Sequence, residues 1–132
     1  MGDRRSHAVI KKALKSVDIN TLNSDSPWVI RTCNRVREVF GQHVRPCLWQ
    51  VKVALATLKG DKHVVSIART GSGKTLTFWM PLLLCYDGII IVVVPLNLLA
   101  KQNVDQLSRV GIPAIVITGE TATDDNFKVS IN

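Results

Sequence analysis

The stretch Ala68-Arg69-Thr70-Gly71-Ser72-Gly73-Lys74-Thr75 decides how the rest of this chain is interpreted. It follows an apolar run at residues 63–67 and precedes a segment with helical periodicity. Glycines at 71 and 73 let the backbone turn so that successive N–H groups point into one concavity, and the helix adds its positive N-terminal end. We therefore predict a phosphate-binding loop, which departs from G-x-x-x-x-G-K-[ST] only in having Ala68 at the first position.

The loop residues have separate expected roles toward a bound nucleotide. Lys74 is the candidate catalytic residue, since its ammonium would reach the β- and γ-phosphates as a point charge. The Thr75 hydroxyl is the candidate Mg²⁺ ligand. The residues expected to hold the phosphates through the loop backbone are Thr70, Gly71, Ser72 and Gly73. A chance Gly/Ser turn is the alternative, and the strand before the loop and the helix after it argue against that alternative.

Composition limits the class of protein. With 132 residues, 46% hydrophobic and 20% charged, the chain can form one small domain and is neither disordered nor fibrous. No apolar run has the length of a membrane span, and the polar, basic N-terminus lacks a secretory pattern. We therefore expect no membrane partner and an intracellular location, either nuclear or cytoplasmic. Cys33, Cys47 and Cys85 are too widely spaced for a zinc site and are expected to be buried, reduced thiols.

The positive charge is placed unevenly along the chain. Residues 1–59 contain 11 lysines and arginines against 4 aspartates and glutamates, a net charge of +7. Residues 60–132 contain 6 of each kind, a net charge of zero. This asymmetry is typical of a protein that binds an anionic polymer, and equally of a basic surface that is simply solvated. Charge alone leaves both interpretations open.

Hydrophobic periodicity predicts three helices before the loop. The first covers residues 6–17, with Ser6 as its cap and an apolar stripe of Ile10, Ala13, Leu14 and Val17. The second has Ser26 as its N-cap and Pro27 as its first residue and ends at Gly41, because Pro is favoured at the first position of a helix and Gly just after the last. The third begins at Pro46 and ends at Gly60.

The second half alternates predicted strands and helices. Three apolar runs are predicted as strands, at residues 63–68, 89–94 and 114–118. Helices are predicted between them, at 73–84 (which must tolerate Pro81 near its end) and 97–109. Short connections in this order favour right-handed crossovers and a parallel sheet. We expect an α/β fold in which a partial parallel sheet with flanking helices is preceded by basic N-terminal helices.

Three features together resemble the first motor domain of superfamily 2 helicases, a P-loop, RecA-like domain. They are Gln50, the loop at 68–75 and the segment Pro95-Leu96-Asn97-Leu98-Leu99-Ala100-Lys101-Gln102. The resemblance implies ATP and Mg²⁺ as cofactors, with Gln50, 24 residues before Lys74, reading the adenine edge. It also implies that Pro95, Leu96, Asn97 and Gln102 lie along a nucleic acid strand.

Two branches of this superfamily share these features. The Pro-Leu-x-x-Leu-x-x-Gln pattern at 95–102 is similar to RecQ-like ATP-dependent DNA helicases, which implies single-stranded DNA as the partner. The Pro46-x-x-x-Gln50 spacing looks like DEAD-box RNA helicases, which implies RNA. Residues 96–98 are Leu-Asn-Leu where that second branch has Thr-Arg-Glu, so we favour the RecQ-like branch.

The residues expected for hydrolysis are missing from this sequence. No apolar strand ends in Asp-Glu, and no second motor domain follows. We therefore interpret residues 1–45 as a basic helical extension and 46–132 as a partial ATP-binding domain, truncated before the Asp-Glu box. Such a chain would need the second motor domain or a partner chain for activity. A non-helicase P-loop protein and a poorly folding fragment are the other interpretations.

Overall fold

The computed structural model describes residues 5–68, 74–85, 87, 89–94 and 97–118. The chain divides into two units, Met1–Ile90 and Ile91–Asn132. Helices in the described residues are α1 His7–Leu14, α2 Pro27–Phe40, α3 Leu48–Lys59, α4 Lys74–Leu84 and α5 Asn97–Arg109, with a 3₁₀ turn at Ile19–Thr21. Among these helices, none has the length and apolar character needed to cross a membrane.

Helix α1 begins where its cap predicts and ends earlier than its pattern predicts. The Ser6 hydroxyl accepts a hydrogen bond from the N–H of Val9 at 3.3 Å, so the predicted cap is confirmed. Tight turns follow Leu14, whose carbonyl accepts from the N–H of Val17, so residues 15–17 leave the helix. Ile10 and Leu14 are fully buried, whereas Ala13 is exposed. Placing Ala13 in the apolar stripe was wrong, because so short a helix buries only the narrow i, i+4 line.

Helix α2 has the predicted bounds. Pro27 is its first residue, and the Ser26 carbonyl accepts from the N–H groups of Val29 and Ile30. The Ser26 hydroxyl does not cap the helix and instead accepts from the N–H of Asn23 at 2.9 Å, which closes the preceding turn. Gly41 ends the helix with φ of 114°, a conformation that residues with a side chain rarely adopt.

Helix α3 is the centre of the first unit. It packs against α1, α2 and α4, and its fully buried side chains are Val51, Ala54 and Leu55. Gly60 follows its last residue in the left-handed conformation, with φ of 67°, as expected for a helix C-terminus. Cys47 occupies the N-cap position, so Pro46 lies just before the helix and not inside it.

Helix α4 accommodates a proline, as predicted. Pro81 lies in its second half, where the ring costs one backbone hydrogen bond of the last turns. Met80 and Leu84 are fully buried on either side of it. The ring of Trp79 stacks on that of Phe40 from α2, with centroids 5.6 Å apart. Burial and stacking thus offset the loss of the bond.

The N-terminal residues are attached to the end of α4. Arg5 forms a parallel bridge with Cys85, and its N–H donates to the Leu84 carbonyl at 3.1 Å. The N–H of His7 donates to a carboxylate oxygen of Asp87 at 2.7 Å, across 80 positions of sequence. Because these bonds hold the start of α1, the first helix is an integral part of the first unit.

The predicted strands are not confirmed by the structure. Residues 63–68, 89–94 and 114–118 are described, and no strand is assigned to them. Val65 and Ile67 are 85% and 96% exposed, and Ile91 and Val93 are 86% and 91% exposed. An apolar, β-branched sequence is therefore not sufficient, because an extended segment becomes a strand only when a neighbour pairs with its backbone. The predicted sheet stays a prediction.

Helix α5 of the second unit has the predicted bounds and a recognisable end. The N–H of Gly111 donates to the carbonyl of Ser108, and the N–H of Ile112 donates to the carbonyl of Leu107 at 2.9 Å. Gly111 has φ of 78°. This pair of bonds is the Schellman motif, which satisfies carbonyls at a helix C-terminus. The predicted break at residues 111–113 is thereby confirmed.

The predicted domain boundary lies inside the first packed unit. Helix α1 and helix α2 contact α3 and α4 respectively, so residues on both sides of position 45 share one core. The division into a helical extension at 1–45 and an ATP-binding domain at 46–132 concerns assignment to a family domain, and it stays a prediction.

Candidate nucleotide-binding site

The start of α4 provides the described part of the candidate phosphate site. The predicted loop residues Thr70, Gly71, Ser72 and Gly73 lie outside the described residues. Lys74 is the first residue of α4, and Thr75 lies half-buried in its first turn. That turn contains no acidic residue, so the partial positive charge of the helix N-terminus is not neutralised from within the helix. The first turn of α4 therefore fits an anionic group.

Gln50 is placed differently from a solvated polar residue. It is the third residue of α3, and only 5% of its surface is exposed. Its side-chain oxygen accepts a hydrogen bond from the backbone N–H of Cys47 at 2.7 Å. Gln50 thus satisfies one of the N–H groups that the start of a helix leaves without a partner. The adenine contact expected of it stays a prediction.

The helices that carry the two halves of the candidate site pack against each other. Gln50 lies at the start of α3 and Thr75 at the start of α4, and these two helices pack directly against each other. Buried side chains of both helices, among them Leu55 and Met80, belong to the same core. Gln50 and Thr75 are thus carried by two helices of one packed core.

The predicted nucleic-acid residues belong to the second unit. Asn97 is the first residue of α5, and Gln102 is exposed in the middle of that helix. Pro95 and Leu96 lie outside the described residues. An exposed amide on a helix surface is free to contact a ligand, so Gln102 is compatible with its expected role.

Metal-binding groups are sparse in the part of the chain that the structure describes. No three residues among its His, Cys, Asp and Glu side chains come together to hold a metal ion. The predicted Mg²⁺ site depends on Thr75 and on the phosphates of a nucleotide, a sharing of ligands that Mg²⁺ commonly uses.

The three cysteines differ in environment. Cys85 is buried, Cys33 is half-buried and Cys47 is exposed, so the expectation of buried thiols fails at Cys47. Cys47 is exposed because it caps a helix at the surface. Burial raises the pKa of the Cys33 thiol, while the nearby charge of Arg37 acts in the opposite direction.

Two residues with positional roles were missed from the sequence. The N-cap position of Cys47 was weakly indicated by Gln50 three residues later, a spacing that is typical of a capping box. The signal is weak because Cys is not a usual N-cap residue. Asp87 had no usable signal, because its partner His7 lies 80 residues away.

Comparison with known proteins places this sequence among helicases. The family model described as DEAD/DEAH box helicase matches residues 47–130. The ATP-dependent DNA helicase RecQ of Haemophilus influenzae is 45% identical over 80 residues, which cover 61% of this chain and 13% of that protein. The ATP-dependent DNA helicase Q1 of Rattus norvegicus is 31% identical over 101 residues, covering 76% of this chain and 16% of that protein. The ATP-dependent DNA helicase Q-like 4B of Arabidopsis thaliana is 36% identical over 102 residues, which cover 75% of this chain and 8% of that protein.

The chain spans less than a fifth of the length of these curated relatives. No solved structure gives a significant match. The resemblance to RecQ-like helicases that the motifs predicted is confirmed by these relatives.

Proposed function

Because the chain belongs to the DEAD/DEAH box helicase family, we propose that it is the ATP-binding, N-terminal part of the first motor domain of a RecQ-like DNA helicase. The observation that carries this proposal is the pairing of α3 and α4. Helix α4 begins with the Lys-Thr of the Gly-Ser-Gly-Lys-Thr sequence and has no acidic residue in its first turn, and Gln50 lies at the start of α3. A P-loop protein of another class does not require a second helix that carries a glutamine at its start.

Each residue of the site has a role toward ATP in this proposal. The backbone of residues 70–73 holds the phosphates, and Lys74 neutralises charge on the β- and γ-phosphates. The hydroxyl of Thr75, half-buried in the first turn of α4, contributes one ligand to Mg²⁺. Gln50 recognises the adenine base. When bound, the nucleotide supplies the γ-phosphoryl group that a motor hydrolyses.

The nucleic acid partner in this proposal is single-stranded DNA. The named relatives are DNA helicases, and the segment 95–102 matches the pattern typical of their branch. Gln102, one of the residues that the family pattern assigns to the strand, is exposed on α5. A second motor domain, or a partner chain that replaces it, completes the active site. With DNA as its partner, the protein in this proposal works inside the cell, in the nucleus or the cytoplasm.

We also propose that the apolar segments 63–68, 89–94 and 114–118 pair as a parallel sheet of the RecA-like domain. Support comes from the family match, which covers all three segments. Their runs of Val and Ile are typical of strands that are buried on both faces. Helices that cover both faces of such a sheet would bury the side chains of Val65, Ile67 and Ile91, which are more than four-fifths exposed in the unpaired segments.

The test of the proposed function is a fluorescent-nucleotide titration of the parent chain and Lys74→Ala. We expect the parent to bind ATP and ADP in the presence of Mg²⁺ and the variant to lose binding, because the Lys74 ammonium would neutralise charge on the phosphates. Lys101→Ala is the matched control, since it removes an exposed lysine from α5 without changing the loop. Equal binding by Lys74→Ala and the parent would refute the assignment.

A further inference from the structure

The structure commits several basic residues of the first unit to internal contacts. The Lys59 ammonium donates to the Val17 carbonyl at 2.7 Å and lies 3.6 Å from the Asp61 carboxylate. The Lys52 ammonium donates to the carbonyl of Asn20 at 3.3 Å, and the Nε of Arg35 donates to that of Leu83 at 3.0 Å. These cations hold neighbouring elements together, so they contribute little to any free basic surface.

Arginines of α2 are committed in a second way. The guanidinium of Arg31 lies over the ring of Trp28, 5.0 Å from its centroid. The guanidinium of Arg35 also forms an ion pair with the Glu38 carboxylate at 3.0 Å. A cation held against an aromatic face or a carboxylate is less available to an external anion.

Helix α1 and its C-cap carry a cluster of exposed positive charge. Lys11, Lys12 and Lys15 are exposed, and we name them the α1 lysine face. Within the described residues they form no ion pair, and helix α1 itself contains no acidic residue. The opposite side of the helix, Ile10 and Leu14, is fully buried.

The position of the Lys11 ammonium is explained by a neighbouring helix end. The Lys11 ammonium lies 3.5 Å from the position that a Cβ on Gly60 would occupy, and thus beside the C-terminus of α3. A cation there is stabilised by the negative end of the helix dipole. Lys12 in the last turn of α1 and Lys15 at its C-cap lie at the negative end of the dipole of α1 itself. They are also within one helical turn of each other, where like charges repel.

The α1 lysine face is held in a fixed position. The bonds of Arg5 to the Leu84 carbonyl and of His7 to Asp87 fix the start of the helix, at 3.1 and 2.7 Å. The buried side chains Ile10 and Leu14 fix its inner side against α3. A partner that binds this face therefore does not have to order the helix first, which lowers the entropic cost of binding.

We propose that the α1 lysine face binds the phosphate backbone of single-stranded nucleic acid. The proposal rests on the proposed function, because a helicase motor supplies such a strand. Charge complementarity carries it: exposed lysines without an ion pair, one turn apart on an anchored segment, match a chain of closely spaced phosphates, whose binding releases counterions. A phosphate between Lys12 and Lys15 also removes their mutual repulsion.

A membrane surface is a poorer match for the same face. A helix that lies in a bilayer interface inserts an apolar side beside its basic one. The apolar side of α1 is already buried against α3, and Val9, 49% exposed, is the large apolar side chain that remains outside. The free charge of α1 is therefore suited to a polyanion in water and not to insertion.

The experiment compares two double variants of the full chain that each remove two positive charges. Lys12→Gln/Lys15→Gln changes the proposed face, and Arg45→Gln/Arg109→Gln changes two exposed arginines elsewhere. Binding to a fluorescent DNA oligonucleotide is measured by anisotropy at several salt concentrations. We expect the first variant to reduce the magnitude of the slope of log K against log[salt] by about 1.4, because each of two lost phosphate contacts contributes about 0.7. We expect the second variant to leave the slope unchanged.

Several outcomes would overturn this proposal. One is an equal change of the salt slope in both double variants, and another is no change in Lys12→Gln/Lys15→Gln. A third is that Lys12→Gln/Lys15→Gln loses binding to vesicles of anionic lipid while its DNA binding is unchanged. If the first double variant fails to fold by circular dichroism, Lys15→Gln alone, outside α1, is expected to reduce the slope by about 0.7.

Nucleotide titration of the same variants separates this proposal from the proposed function. If the parent binds nucleotide but Lys12→Gln/Lys15→Gln leaves the salt slope of DNA binding unchanged, the proposal for the α1 lysine face is wrong and the proposed ATP site stands. If the parent does not bind nucleotide but the double variant lowers the slope as expected, the proposed ATP site is wrong and the proposal for the α1 lysine face stands.

Discussion

The side-chain oxygen of Gln50 accepts a hydrogen bond from the backbone N–H of Cys47 at 2.7 Å, and Gln50 is almost completely buried. The residue that the family resemblance assigns to adenine therefore also closes the start of α3, the helix that contacts every other helix of the first unit. A substitution at position 50 will change stability as well as nucleotide recognition. Variants must be chosen to separate the two effects.

Gln50→Ala and Gln50→Glu separate them through stability. Alanine removes the acceptor for the Cys47 N–H, so we expect the free energy of unfolding to fall by about 0.5–2 kcal/mol, as for loss of a helix cap. Glutamate keeps an oxygen in the same place at the positive end of α3, so we expect a smaller loss. Urea unfolding followed by tryptophan fluorescence measures both. An unchanged free energy of unfolding in Gln50→Ala would contradict the capping role.

The same two variants test base recognition. Glutamate keeps the cap but lacks the amide donor, so we expect Gln50→Glu to lose the preference for adenine over guanine nucleotides while the fold persists. The measurement is competition of ATP and GTP for the fluorescent nucleotide. An unchanged preference in folded Gln50→Glu would show that position 50 is only structural.

Leu14→Ala is predicted to destabilise the first unit. Leu14 is fully buried between α1 and the rest of the core, so its truncation should lower the free energy of unfolding by about 2–5 kcal/mol. Val9→Ala on the exposed side of the same helix is the control and should change it by no more than about 0.5 kcal/mol. Similar effects of the two substitutions in urea unfolding would mean that α1 is a detachable extension.

Cysteine labelling should follow the order of exposure. We expect Cys47 to react first with iodoacetamide near neutral pH and Cys85 last, because the first is exposed and the second buried. The raised pKa of Cys33 keeps its thiol protonated, so its labelling should increase only as the pH is taken above the range of an ordinary thiol. Mass spectrometry of the digested chain gives each rate. Labelling of Cys33 ahead of Cys47 would contradict the placement of α2 and α3.

We predict that these 132 residues neither hydrolyse ATP at a useful rate nor unwind a duplex. The phosphate loop, Lys74 and Thr75 supply only part of the charge stabilisation that phosphoryl transfer requires. An arginine finger alone is worth about 10³–10⁵ in turnover in comparable enzymes. Phosphate release is measured with and without single-stranded DNA, with Lys74→Ala as the background. DNA-stimulated release above that background would show that another acid, such as Glu120 or Asp124, completes the site.

The local features of this protein were determined by its sequence. Pro27 and Gly41 at the ends of α2, Gly60 after α3 and Gly111 after α5 predicted where helices begin and end. Such signals act within one turn of the backbone, where the residue type fixes φ or removes a donor. The loop and its spacing from Gln50 likewise predicted the helicase family without any tertiary information.

Only the tertiary structure decided which of these residues share partners. The bond between His7 and Asp87 joins positions 80 residues apart, and the bond between Arg35 and Leu83 joins positions 48 apart. Neither pair has a pattern of residue types that predicts it. The same packing decided that Lys59 is committed to a carbonyl while Lys12 is left exposed. A charge in the sequence has a sign and a position along the chain, but its availability depends on which backbone and side-chain groups the fold brings beside it.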